Sequence, residues 1–237
     1  MRGGHDGQDK VTAPPTLAAA TYDPPMRLLQ RAVGPLATNL YVLGDEASRE
    51  ALAIDTATPS VAWLTQALAE TGWSLRFVVS SHRHWDHIGD NAAVVAATGA
   101  TLAAHMADRH GLEAPSGLWA PFEIPPSVPA LDLAEGSRIR FGSIDLEVLH
   151  TPGHTEGSVC LLARTENLLF SGDTLFRSGW GRVDLPGASP AAMVESLSRL
   201  SRLEGSLRVL PGHGQATTIE AERPWMELVA SERRLLM

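Results

Sequence analysis

One short stretch limits what this chain can fold into. Ser80-Ser81-His82-Arg83-His84-Trp85-Asp86-His87-Ile88-Gly89-Asp90 places three imidazoles and a carboxylate within six positions, directly after the apolar run Leu75-Arg76-Phe77-Val78-Val79. That run has the length and β-branched content of a buried strand, so the cluster falls in the turn where the strand ends, a usual place for sites. Imidazole and carboxylate donors suit divalent zinc, iron or manganese. His82 and His84 can aim two rings at one ion from alternate positions, while Asp86 and His87 face elsewhere. Four donors in so short a segment exceed what one ion takes from one turn, so the spacing predicts a second ion, with the pair about 3.5–4 Å apart. A polar surface turn would account for a lone histidine, but not for three in this pattern.

The phrase His82-x-His84-x-Asp86-His87 resembles the signature of the metallo-β-lactamase superfamily, the fold of glyoxalase II and many related hydrolases. Three further phrases of that family stand downstream in the same order: His154 in Thr151-Pro152-Gly153-His154-Thr155, Asp173 in Phe170-Ser171-Gly172-Asp173-Thr174-Leu175-Phe176, and His213 in Leu210-Pro211-Gly212-His213-Gly214. The resemblance implies an α/β chain built as a four-layer αββα sandwich, two mixed sheets with helices on the outer faces. It assigns His82, His84 and His154 to one divalent ion and Asp86, His87 and His213 to another, with Asp173 bridging. Zinc is the first expectation, with iron or manganese as alternatives. The implied chemistry is a metal-held hydroxide attacking a thioester or ester carbonyl, with Asp86 taking part in the later proton transfer. A thiolate is a good leaving group and a soft ligand for zinc, so a thioester suits this centre.

The phrases around Asp173, Gly181 and His213 look most like the short glyoxalase-II-like, hydroxyacylglutathione hydrolase-like enzymes. The longer glyoxalase II enzymes add a helical carboxy-terminal domain that contacts glutathione. With 24 residues (237 − 213) after His213, the expectation is a chain without it. Persulfide dioxygenases are the second reading: they resemble a mononuclear iron site at the positions of His82, His154 and Asp173. Their Gly-Cys-Gly-Arg-Thr-Asp phrase is replaced by Gly179-Trp180-Gly181-Arg182-Val183-Asp184 here. Lactone hydrolysis is a third. A flavodiiron-type redox module would carry Glu where this chain has His84.

Bulk properties narrow the partners. The 237 residues are 44% hydrophobic and 19% charged, which describes a well-buried globular protein. A net charge of −8 argues against a nucleic-acid backbone as partner, because phosphate binding needs clustered cations, and lysine occurs once, at Lys10. No apolar run has membrane-spanning length and the first residues lack a secretory signal. The expectations are a cytoplasmic location and a small-molecule substrate, with a homodimer allowed. The single cysteine, Cys160, sits in an apolar strand-like run and reads as a small core residue.

In chain order, residues 1–25 read as a poorly ordered arm and 26–237 as one domain. Three apolar segments between Leu28 and Ile54 predict antiparallel strands. Asp55 then either supports a ligand histidine or caps a turn. Pro59 is expected at the first position of a helix that Gly72 stops, and a second helix from Ile88 to Gly99. A hairpin turns at Gly142-Ser143, strands follow at 159–162 and 168–170, and a helix runs from Ser189-Pro190 to Gly205. A last strand covers 207–210, and Thr217 with Glu220 predicts the cap of the final helix. His105 and His110 read as structural or surface residues. The proline-rich segment 111–130, with Trp119 and Phe122, is either a substrate wall or packing across an edge. Candidate substrate contacts are Arg177, Arg182 and Trp119, although pairing of Arg182 with Asp184 is slightly favoured over a substrate role.

Overall fold

The computed structural model describes residues 26–116 and 120–235; the expected arm at 1–25 and Trp119 lie outside that range. Strands β1 (Met26–Val33), β2 (Thr38–Asp45), β3 (Glu50–Ile54), β4 (Ser74–Val79), β5 (Thr101–His105) and β6 (Leu131–Leu133) form one sheet in sequence order. The first two pairings are antiparallel and the next three parallel. The second sheet runs β12-β11-β10-β9-β8-β7, from β7 (Arg138–Phe141), β8 (Ile144–His150), β9 (Val159–Ala163), β10 (Leu168–Gly172), β11 (Arg208–Pro211) and β12 (Thr217–Thr218). It too is mixed, since β10 and β11 are parallel and the other pairs antiparallel.

The side chains of an extended strand alternate between its faces, and both sheets use both faces. Tyr41, Leu43, Leu52 and Ile54 meet Val148, Leu161, Phe170 and Leu210 between the sheets. Their neighbours Leu40, Val42, Ala51 and Ala53 point the other way, against α1 (Val61–Thr71) and α3 (Asn91–Thr98). Cys160, Leu162 and Val209 pack outward on α5 (Pro190–Leu200) and α6 (Ile219–Glu232). Three apolar layers thus separate four layers of structure, as expected for the αββα sandwich. Cys160 is a fully buried core residue, and burial pushes its thiol up to about 11.

Several boundaries differ from the sequence expectation for local reasons. The Thr58-Pro59 bond is cis and α1 begins at Val61, so Pro59 is not its first residue. Ser60 makes no side-chain cap. Instead Asp90, from 30 positions on, accepts from Ser60 N (2.6 Å) and Val61 N (3.1 Å), satisfying the free amides of that helix start. The helix expected from Ile88 is two pieces, α2 (Trp85–Ile88) and α3, because Gly89-Asp90 breaks the run to deliver that carboxylate. Helix α5 ends at Leu200 rather than at Gly205. The final cap is Thr218, whose hydroxyl accepts from Ala221 N at 3.2 Å; Thr217 is taken by β12 and donates to Glu222. Short β6 and the single-turn α4 (Arg109–Glu113) had too little periodicity to be expected.

A candidate metal centre at the strand ends

Four loops leave the carboxyl ends of β4, β8, β10 and β11 at one rim of the sandwich, and each carries part of the donor set. The β4 loop supplies His82 and His84, then turns into α2, where His87 N donates to His84 O (2.9 Å) and swings Asp86 and His87 back over the strand end. The β8 loop supplies His154, the β10 loop Asp173, and the β11 loop His213. Backbone bonds join the loops: Val159 N donates to Ser81 O (2.9 Å), Gly212 N to Gly172 O and Asn39 N to Gly212 O, both 2.7 Å. Tyr41 Oη and Asn39 Nδ2 also donate to Pro211 O, at 2.8 and 3.0 Å, fixing the turn that ends in His213.

All seven expected donors are brought together. Within each of three groups, His82–His84–His154, His82–His87–Asp173 and Asp86–His87–His213, the donor atoms lie within 4.8 Å of one another. Asp173 reaches across: its Oδ1 is 3.5 Å from His87 Nε2 and its Oδ2 is 3.5 Å from both His154 Nε2 and His213 Nε2. Asp86 Oδ2 lies 3.2 Å from His213 Nε2 and 3.4 Å from His87 Nε2, and accepts from Thr38 Oγ1 at 3.1 Å.

The outward nitrogens fix which atoms face inward. His87 Nδ1 lies 2.9 Å from Asp55 Oδ2, His154 Nδ1 2.7 Å from Arg182 O, and His213 Nδ1 3.0 Å from Leu36 O. Each of those oxygens accepts, so each Nδ1 donates and each Nε2 is the nitrogen that faces inward, toward a proton or a cation. Ser81 Oγ gives its hydrogen to Asp55 Oδ2 (2.8 Å) and therefore accepts from His82 Nδ1 (3.0 Å), which leaves His82 Nε2 in the same state. Asp55 thus takes the supporting role, not the turn cap.

The inward ring nitrogens lie close together. His84 Nδ1 sits 2.8 Å from His154 Nε2, and His87 Nε2 sits 3.1 Å from His213 Nε2. Two further inward atoms, His82 Nε2 and Asp173 Oδ1, are buried without any hydrogen-bond partner. Buried groups of this kind are costly unless something satisfies them. Convergent nitrogen and carboxylate donors with two orphaned atoms are what divalent cations require, so the residues fit the expected group. Close approach is built in as well. A Cβ on Gly212 would collide with Asp173 Oδ1, and one on Gly181 with Asp173 O.

Electrostatics divides the donors. Burial pushes His82 well below the ordinary imidazole range and His84 down to about 3, and it also lowers His154. Burial opposes charge at His87 and His213 too, but the surrounding carboxylates, chiefly Asp86 and Asp173, win and raise both. Against burial, which favours the neutral acid, His87 and His213 hold Asp86 below the usual carboxylate range, and His87 likewise lowers Asp173.

A cavity of about 600 Å³ opens over the donors. Arg182 lines it but pairs with Asp184 through two bonds of 2.9 Å, as the sequence favoured. Arg177 lies elsewhere, bonded to Gln215 and lining a shallower cleft with Arg208 and Glu222. Within segment 111–130, Ser116 lines the cavity while Phe122 packs edge-on against Trp85 with centroids 5.7 Å apart, so the segment is both wall and packing. His105 stacks on His150 away from the donors. His110, expected as a structural or surface residue, lines the cavity, and so does Arg83, whose place between two ligands was its one sequence signal. Buried Asp108 accepts from Arg83 N (3.0 Å), Thr155 Oγ1 (2.6 Å) and Gly157 N (2.9 Å), and pairs with the Arg83 guanidinium, so it locks the His82–His84 loop to the His154 loop. Nothing in its local sequence marked it.

The profile of the Metallo-beta-lactamase superfamily matches residues 33–213. A hydroxyacylglutathione hydrolase of Cereibacter sphaeroides is 36% identical over 193 residues, covering 78% of this chain and 68% of its own. Among solved structures, TTHA1623 in a di-iron-bound form shares 36% identity at a TM-score of 0.72, over 82% of this chain and 96% of that one. ETHE1 from Myxococcus xanthus shares 28% identity at 0.73, over 86% and 85%. From its donor phrases through its paired mixed sheets to this match, the chain belongs to the metallo-β-lactamase superfamily.

Proposed function

We propose that this protein is a metal-dependent hydrolase that cleaves small thioesters. His82, His84 and His154 would hold one divalent cation and Asp86, His87 and His213 a second, with Asp173 shared. The observation that carries the reading is the set of convergent nitrogen and carboxylate donors, two of them buried without a hydrogen-bond partner, at the floor of a cavity sized for a small molecule. The cations, when bound, supply Lewis acidity that acidifies water and polarises a carbonyl. Zinc suits the nitrogen-rich donor set, and the di-iron form of a 36% identical structure supports iron as the alternative.

The chain's own residues do the rest. Asp55, Arg182 O and Leu36 O orient the rings, so little reorganisation is needed when substrate arrives. Asp86, ionised at neutral pH, holds a proton at its carboxylate only briefly, which suits passing it to a departing thiolate. Trp85 and Trp180 in the cavity wall exclude water from the group being cleaved. A small-molecule substrate accords with the net charge of −8. Among the described residues no helix is long and apolar enough to cross a membrane. The cytoplasm, where thioesters of small thiols occur, is the proposed location, and a homodimer is a further proposal for sizing experiments.

The test is elemental analysis of protein purified without added metal, followed by assay with S-D-lactoylglutathione, S-D-lactoyl-N-acetylcysteamine, an acyl-homoserine lactone and glutathione persulfide. Two cations per chain with thioester cleavage is the expected result. One iron per chain with oxygen uptake on the persulfide, the reading that the ETHE1 likeness favours, would replace it.

A further inference from the structure

We infer that the cavity beside the metal centre binds an uncharged, apolar group, so that the thiol or alcohol released is neutral rather than a carboxylate-bearing peptide. The inference deepens the hydrolase reading and rests on it for the position of the scissile carbonyl. Outside the donor cluster the large apolar side chains of the wall are Leu36, Trp85, Phe176, Trp180, Leu185 and Pro186, with Arg83, His110, Ser116 and Arg182 beside them. Two of these are braced from behind. Trp85 meets Phe122 edge-on, and Trp180 lies 5.6 Å from Trp225, whose indole donates to Glu222 at 2.6 Å. Rigid aromatic faces of this kind suit apolar ligands.

The cations in the wall are already engaged. The Arg83 guanidinium is 12% exposed and pairs with Asp108, with Glu156 at 3.2 Å and with Pro186 O at 3.2 Å. It packs closely against Gly111 and Gly187, where a Cβ on either would collide with it. Arg182 holds Asp184 in a two-bond fork. Taking up a substrate carboxylate would exchange one ion pair for another and leave Asp184 beside a like charge. No lysine is in reach among the described residues, since Lys10 lies outside them. Among the described residues His110 is the remaining basic group lining the cavity. A chain with net charge −8 further disfavours anionic ligands.

Two unreactive thioethers with the same alkyl chain test this independently of turnover: S-hexylglutathione and N-acetyl-S-hexylcysteamine, titrated calorimetrically into the zinc-loaded full chain at pH 8. The neutral ligand should bind at least about tenfold more tightly, the cost of leaving a carboxylate without a partner. Equal or tighter binding of the glutathione thioether, or no binding of either, overturns the inference. Asp184→Ala, which removes the two bonds that Arg182 makes to Asp184, should narrow the gap severalfold, and an unchanged gap counts against the inference. Failure of the hydrolase reading is seen separately, as absence of thioester cleavage by protein that still discriminates between the two ligands.

Discussion

The two halves of the donor cluster face each other across Asp173 yet are built on opposite electrostatic terms. His82, His84 and His154 form an all-imidazole group in which burial outweighs everything else, so all three rings are kept neutral. Asp86, His87 and His213 form a mixed group in which carboxylates outweigh burial, so both rings favour the proton. The first half presents its lone pairs ready for a cation. The second stores protons that a cation must displace. One loop supplies members of both halves, so the difference comes from the neighbours each ring meets and not from the ligand type alone.

Removing what the halves share should have the largest effect. Asp173 touches both groups, and Asp173→Ala should abolish loading of two cations and lower turnover by more than the roughly 10–100-fold typical of a lost outer partner. Retention of both metal content and activity would mean that the assigned geometry is wrong. Separating the halves comes next. His84→Ala and His213→Ala each take one donor from one group, and each should drop the metal content from two to about one per chain, the number three remaining donors can hold. If His84→Ala emptied both groups, the halves would be one cooperative site, and their contrast would lose its meaning.

A smaller effect should follow from Asp55, which accepts from Ser81 N at 2.7 Å, from Ser81 Oγ and from His87 Nδ1. Through Ser81 it also sets the His82 tautomer, so it supports one ring in each half. Asp55→Asn should weaken both cations by roughly 10–100-fold while leaving the fold intact, read by chelator competition and circular dichroism. A change confined to His87's half would show that Ser81 orients His82 unaided.

How much of this was legible in the sequence depended on whether a residue's role is local. His82, His84, Asp86 and His87 are close in sequence and follow one apolar strand-like run, so that turn could be read directly, whereas the four-layer sandwich came from the resemblance. His154, Asp173 and His213 came from resemblance, since no spacing rule joins residues on different sheets. Asp108 and Asp90 were missed because each acts on amides 25 to 49 or about 30 positions away, a relation that no period encodes. Arg177 was placed near substrate from its neighbourhood in sequence, whereas the turn after Phe176, with Ser178 at φ 61°, carries it toward Gln215. His110 reads as a structural or surface residue and is exposed; that this surface is a cavity wall depends on where α4 packs.

The contrast between the halves is sharpened last by pH. A ring whose pKa is raised keeps its proton to higher pH than an ordinary imidazole, so over that range a cation entering the Asp86–His87–His213 group must expel it, and affinity there rises with pH until the raised values are passed. Rings whose pKa is lowered are bare throughout that range, so the His82–His84–His154 group has no proton to lose above about 6.5, the ordinary imidazole value. Between pH 6.5 and 8 the weaker zinc affinity should therefore strengthen by about tenfold per unit for each proton displaced, and the tighter one should stay flat. Chelator competition at several pH values reads both constants, and calorimetry in buffers of different ionisation enthalpy counts the protons released. Two affinities that climb in parallel would show the carboxylates serving both halves alike, and the asymmetry between them would then lie in the number of donors instead of in their charge.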